Sequence, residues 1–231
     1  MSLIADFSAA HSLRPDPGRL SDSPAGKNLE VEVKFLVNSH SPVRKRLLSL
    51  GALIKAPRVY EVNVRFDTPD EAMTRRQELL RLRQDRSAWL TYKGRSESDL
   101  TSEAKVREEI EVEVDDFGRM SMILGRLGLV PVQTYEKYRE TFHWNDVEIV
   151  LDELPFGNFI ELEGDEEGLK AAAAALGLNW SDRILANYLA LMSLARQSFD
   201  LPFSDLTFDN FRDNPVDMAG ILPLCRFEAD V

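Results

Sequence analysis

From residue 29 onward, charged side chains recur at every second position of short runs whose alternate positions are apolar. In LEVEVKF (29–35), Glu30, Glu32 and Lys34 share one face, and Val31, Val33 and Phe35 share the other. Successive side chains of a β-strand point to opposite faces, so this spacing describes strands with one charged and one apolar face. The pattern returns with Arg81 and Arg83 opposite Leu80 and Leu82, with Thr91 and Lys93, and with Arg107, Glu109, Glu111 and Glu113. It returns again with Lys137 and Arg139, with Glu148 and Asp152, and with Glu161 and Glu163 opposite Ile160 and Leu162. Strands are expected near 28–37, 58–67, 79–84, 88–93, 105–114, 134–143, 146–152 and 158–163. Helical spacing lies between and after them, at 41–51, 115–128, 166–177 and 181–197.

Antiparallel sheets commonly carry one solvated polar face, which explains any single strand of this set. It does not explain all of them together. Each charged face is locally of one sign, and like charges two residues apart repel unless something neutralises them. The apolar faces need cover, which amphipathic helices outside the sheet supply, so the charged faces turn inward. The expected fold is α+β: a closed eight-stranded antiparallel β-barrel with helices packed outside and no open sheet edges. A lumen full of Arg, Lys and Glu is unfavourable when empty and makes sense around a polyanion with metal cations.

Composition narrows the function. The formal net charge of −11 disfavours nucleic-acid binding. A single cysteine, Cys225, allows no intrachain disulfide and suits a reducing cytoplasm. No apolar run has the length of a membrane helix, and the first twenty residues lack a secretory-signal pattern, so no membrane partner is expected. Residues 1–27 read as a flexible N-terminal arm, 28–198 as the patterned domain, and 199–231 as an acidic, Phe-rich tail. That tail, with Phe199, Phe203, Phe208 and Phe211, either stays disordered or lays its aromatics on the barrel or a partner. A homodimer is left open.

The residues Glu30-Val31-Glu32-Val33-Lys34 (E-x-E-x-K), followed by FDTPD (66–70), LLRLR (79–83), TYKG (91–94), KVREEIEVEV (105–114), KYRET (137–141), LDELPFGNFIELEG (151–164) and NYL (187–189), resemble the CYTH superfamily, the triphosphate tunnel metalloenzymes. The resemblance implies an eight-stranded tunnel and Mg²⁺- or Mn²⁺-dependent chemistry on a small triphosphate in the cytoplasm. With it, Lys34, Arg81, Arg83, Lys93, Arg107, Lys137 and Arg139 become the phosphate-binding set, because guanidinium and ammonium groups donate to phosphate oxygens. Glu30, Glu32, Glu161 and Glu163, with Asp152 and with Glu109 or Glu111, become the ligands of two metal ions, since hard cations take oxygen donors. Glu30, Glu32, Lys34 and Arg83 are expected to carry catalysis. Three scattered histidines and one cysteine give no zinc site. The implied reaction is phosphoryl transfer to water. Class IV adenylate cyclase is the alternative, disfavoured because PAGKNL stands where cyclases of that group carry a His-Phe pair. A non-catalytic polyphosphate-binding module is a second alternative. Trp89, Tyr92 and Trp144 are expected to pack rather than stack on a base.

Overall fold

The structure, a computed structural model, describes residues 29–95 and 102–225. The proposed N-terminal arm lies outside the described residues. Eight strands follow in order: β1 (Leu29–Val37), β2 (Leu53–Asp67), β3 (Leu79–Gln84), β4 (Ala88–Arg95), β5 (Lys105–Val114), β6 (Val130–Trp144), β7 (Val147–Leu154) and β8 (Gly157–Glu163). Every neighbouring pair is antiparallel, and the sheet closes on itself in the order β1-β5-β4-β3-β2-β6-β7-β8. The seam is β1 against β8, with Lys34 opposite Glu161 and Glu32 opposite Glu163.

The helices lie outside the ring. α1 (His40–Ser49) and α4 (Glu166–Leu176) cover the outer faces of β1, β7 and β8. Val33, Phe35, Ile149, Leu151, Ile160 and Leu162 bury there against Leu47, Leu169, Ala172 and Ala173. α4 starts on Asp165, whose side chain accepts from Gly168 N, and stops at Gly177 with φ +73°, a left-handed end that glycine adopts without strain. α3 (Phe117–Arg126), capped by Asp116, packs Leu124 on Phe66 and Leu82. Cover is incomplete: Ile110 and Val112, on the outer face of β5, remain 49% and 54% exposed. The expectation that helices cover all the apolar faces therefore fails on this strand.

Two boundaries move for identifiable reasons. The helix expected from 181 begins at Tyr188, as α5 (Tyr188–Phe199). Ile184 spends its backbone groups on a two-way bridge with Lys34 (Ile184 N to Lys34 O 2.8 Å, Lys34 N to Ile184 O 3.1 Å). The Asn187 side chain then caps the helix by accepting from Ala190 N. β2 begins five residues earlier than its alternation shows, because register shifts around Ile54–Val59 break the period of two. As far as Cys225 the tail folds onto the barrel, its last residues, 226–231, lying outside the described residues: α6 (Phe208–Phe211) and α7 (Met218–Cys225) follow α5, with Leu201, Leu206, Phe211, Met218 and Ile221 buried against Phe156, Phe159 and α5. No helix among the described residues is long and apolar enough to cross a membrane.

Candidate active site

The inner faces of the strands meet in one cavity of about 350 Å³. An eight-stranded ring is just wide enough for side chains to fill, so what lines it decides what it holds. Of the 21 lining residues, nine are Lys or Arg and seven are Glu. The lining includes Lys34, Arg81, Arg83, Lys93, Arg107, Lys137 and Arg139, with Glu30, Glu32, Glu109, Glu111, Glu161 and Glu163. Asp152 alone of the expected residues is not in the lining.

The charges are arranged in two walls. On β3 and β6 the wall is basic. Arg81 Nη2 donates to Thr91 (3.0 Å) and Glu111 (3.2 Å), and Arg83 Nη2 reaches Glu111 at 3.4 Å. Lys137, 2% exposed, donates to Asp152 at 3.0 Å and lies 3.6 Å from Glu61. Arg139 forks onto both Asp152 oxygens (2.7 and 2.5 Å) and also contacts Glu161. Asp152, fully buried, therefore sits behind the cations and also accepts from Tyr188 OH at 3.0 Å. Its visible work is to aim two cations and a phenol into the lumen. Tyr188, at the start of α5, lies between Lys34 and Lys137, whose ammonium groups are 5.5 and 5.6 Å from its ring centre.

On β1, β5 and β8 the wall is acidic, with lysines between the carboxylates. Lys93 donates to Glu30 at 2.6 Å and meets Glu109 at 3.0 Å. Lys34 meets Glu32 at 2.7 Å and Glu161 at 3.4 Å, and Lys105 reaches Glu32 at 3.1 Å. Burial pushes Glu32 up, but Lys34 and Lys105 outweigh it and hold it at about 2. Burial likewise opposes Glu161, which Lys34, Arg139 and Lys137 hold well below the usual range. Glu163 goes the other way: burial, then Glu30, Glu148 and Glu109, raise it to about 7. Burial, then the nearby Lys34, lowers Lys105 to about 8. Burial raises Glu61, but Lys137, Arg139, Arg83 and Arg81 together bring it below its ordinary value.

Glu163 makes no ion pair among the described residues, while its acidic neighbours Glu30 and Glu109 are held by Lys93 and Glu148 by Lys55. Their all-oxygen chemistry and excess negative charge suit a hard divalent ion. Among the described residues no three acidic, His or Cys side chains stand close enough to hold one as they are. Lysine ammonium groups occupy several of the candidate oxygens: Lys93 is on Glu30 and Glu109, and Lys34 and Lys105 are on Glu32. The donor set fits Mg²⁺ or Mn²⁺ in kind, with Glu30, Glu32, Glu109, Glu161 and Glu163 as the side chains that would hold it.

Four polar lining residues were not singled out from the sequence. Lys105 shares a strand face with Arg107 and Glu109, a signal that alternation offered. Tyr135 alternates with Lys137 in the same way. Lys55, ion-paired with Glu148, comes from the bulged start of β2, where no period marks it. Asn187 enters only because α5 starts at the lumen. Arg107 reaches the cavity but donates to the carbonyl of Gln77, in the loop after α2 (Ala72–Arg75).

Ring topology and lumen together define a tunnel protein whose interior is lined by charge of both signs. A family model described as the CYTH domain matches residues 28–177, and the chain belongs to that family. A candidate adenylate cyclase of Methanocaldococcus jannaschii is 29% identical over 175 residues, covering 74% of this chain and 92% of that one. The PH1819 protein of Pyrococcus horikoshii superposes with a TM-score of 0.60 at 26% identity, over 71% of this chain and 98% of that one. The X-ray structure of a candidate adenylate cyclase from Vibrio parahaemolyticus gives 0.65 at 22% identity, over 72% and 98%.

Proposed function

We propose that the chain hydrolyses a small triphosphate, inorganic tripolyphosphate or an organic one, inside this lumen with Mg²⁺ or Mn²⁺. The supporting observation is the lining itself, nine cationic and seven acidic side chains around about 350 Å³. Buried charges are costly unless matched, and a phosphate chain carrying divalent ions matches both walls at once. Arg81, Arg83, Lys137 and Arg139 bind and orient the phosphate oxygens, with Lys34 and Lys93 reaching across from the acidic side. Asp152 and Glu61 keep the basic wall in place. Glu30, Glu32, Glu109, Glu161 and Glu163 are the side chains that would hold the cation, which when bound would supply charge stabilisation and a more acidic water. As charge shifts onto the leaving phosphate, the guanidinium groups stabilise it without having to reorganise.

Adenylate cyclisation is the second reading, favoured by the name carried by the Methanocaldococcus jannaschii relative. It uses the same walls with a ribose oxygen in place of water. One assay separates the readings: purified protein with Mg²⁺ or Mn²⁺ against tripolyphosphate, thiamine triphosphate and ATP, scoring phosphate release and cyclic AMP independently. Phosphate release is expected, and Glu32→Gln or Arg83→Ala lowers turnover by about 10²-fold or more, the scale of losing one transition-state donor. Wild-type rates in both variants refute the site. Binding without product from any substrate leaves a polyphosphate-binding module.

A further inference from the structure

Nearly every lumen carboxylate and cation is paired, yet five buried side-chain atoms among the described residues have no hydrogen-bond partner, although Glu61 Oε2 lies 3.6 Å from Lys137 Nζ and Arg83 Nε 3.5 Å from Asp85 Oδ2. They are Glu61 Oε2, both amide atoms of Asn63, and the Nε groups of Arg81 and Arg83. All five lie on two adjacent strands, β2 and β3. Asn63 stands directly opposite Arg83 in the β2–β3 register, and its other neighbour, on β6, is Tyr135. Asn63 is 0% exposed and Glu61 is 2% exposed. Burying a polar group without a hydrogen bond is unfavourable, so a contiguous set of five calls for an explanation.

The orphans are complementary. Two are Nε–H donors, and Asn63 Oδ1 and Glu61 Oε2 are acceptors. The Nη ends of both arginines lean the other way, onto Thr91 and Glu111 of β4 and β5, and Arg83 Nε faces Asp85 at 3.5 Å. That posture suits a lumen without substrate, where Glu111 is the available anion. A triphosphate competes with Glu111 for the same nitrogens.

We infer that Asn63 is a positioning residue for phosphate binding. When a phosphate chain draws the guanidinium end of Arg83 off Glu111, Asn63 Oδ1 accepts from Arg83 Nε, directly across the β2–β3 ladder. The planar fork of Arg83 is then fixed facing the substrate. The resting and engaged postures differ by an exchange of hydrogen-bond partners, with no movement of the sheet. This rests on the triphosphate reading of the lumen and adds to it a side chain that acts through Arg83.

The test is a double-mutant cycle on Asn63→Leu and Arg83→Ala, with Asn63→Asp as the variant that keeps the acceptor. Initial rates on tripolyphosphate with Mg²⁺ give kcat and KM, and calorimetry gives Kd for the same ligand. Asn63→Leu is expected to raise KM and Kd about tenfold, the worth of one charge-assisted hydrogen bond. Asn63→Asp stays close to wild type, and Asn63→Leu adds nothing once Arg83 is Ala. A purely structural asparagine lowers the melting temperature and leaves KM and Kd of the folded protein unchanged. That result, or additive effects in the cycle, overturns the inference. Should Asn63→Leu not fold, Asn63→Ser, lacking an acceptor of the same reach, replaces it in the cycle. If the wild type binds tripolyphosphate without turnover, the hydrolase reading fails while the cycle still reads in Kd. If it binds none, both fail.

Discussion

Asp67 shows how one carboxylate sets the approach to the lumen. It is 1% exposed and accepts from Thr68 N (2.7 Å), Met73 N (2.9 Å), Thr74 N (3.0 Å) and the Thr74 hydroxyl (2.5 Å). Those bonds fold the chain between β2 and β3 into α2, and the loop that follows carries Gln77, whose carbonyl receives Arg107. Burial opposes the charge, but the Thr74, Met73 and Thr68 donors prevail and hold Asp67 at about 2, against an ordinary 3.8. A carboxyl whose folded value is depressed contributes stability above its unfolded value and loses it as pH falls through the folded one. Asp67→Asn should therefore be less stable than wild type at pH 7 in urea unfolding, with the gap closing between about pH 4 and pH 2. A gap independent of pH would show that the loop depends on shape alone.

The tail belongs to the barrel as an element. β7 pairs with β6 only from Tyr138 onward, which leaves the Val130–Lys137 half of β6 with a free edge on that side. Leu206 docks there: its N donates to Thr134 O (2.9 Å) and its O accepts from Glu136 N (2.9 Å). Asp205 and Glu136 side chains close the join by accepting from Thr134 N (2.8 Å) and Phe208 N (2.9 Å). Edge strands need such cover, and here the chain supplies its own. Leu206 is 0% exposed, so Leu206→Ala should cost about 2–5 kcal/mol in chemical denaturation. A cost below about 0.5 kcal/mol would mean that the tail only rests on the surface. The strands with strict alternation, β1, β3, β5 and β8, were legible because their period of two survives in residues such as Glu30/Glu32 and Arg81/Arg83. The start of β2 was not, since Pro57 and the register shifts erase the period that would have marked Lys55. Nor was the tail's docking, because an acidic Phe-rich segment reads alike whether or not a free edge waits for it. Asp152 was legible as an acid, but not as the holder of Tyr188, a partner 36 residues away.

For the whole molecule, a net charge of −11 encloses a lumen whose lining holds more cations than acids. Ligand bound to the folded state alone stabilises it by about 2.7 kcal/mol at a hundred times Kd. For a chain of this size that corresponds to a rise of roughly 5–10 °C in melting temperature. Tripolyphosphate with Mg²⁺ should produce such a rise, and tripolyphosphate with a chelator a smaller one, because phosphate draws the lysines off carboxylates that the metal then neutralises. The pH dependence follows from Glu163, raised from 4.5 to about 7 by burial, Glu30, Glu148 and Glu109. An acid so raised stabilises the ligand-free fold below its unfolded value, and that stability is lost as pH rises through about 7. A divalent ion favours the ionised carboxylate, so it restores what deprotonation removes, and the metal-dependent part of the shift should grow between about pH 5 and pH 8. Glu163→Gln should flatten that growth and keep the shift due to phosphate alone. Equal shifts with and without metal at every pH would show that the acids serve only to hold the lysines. No shift under any condition would remove the polyanion from the lumen altogether.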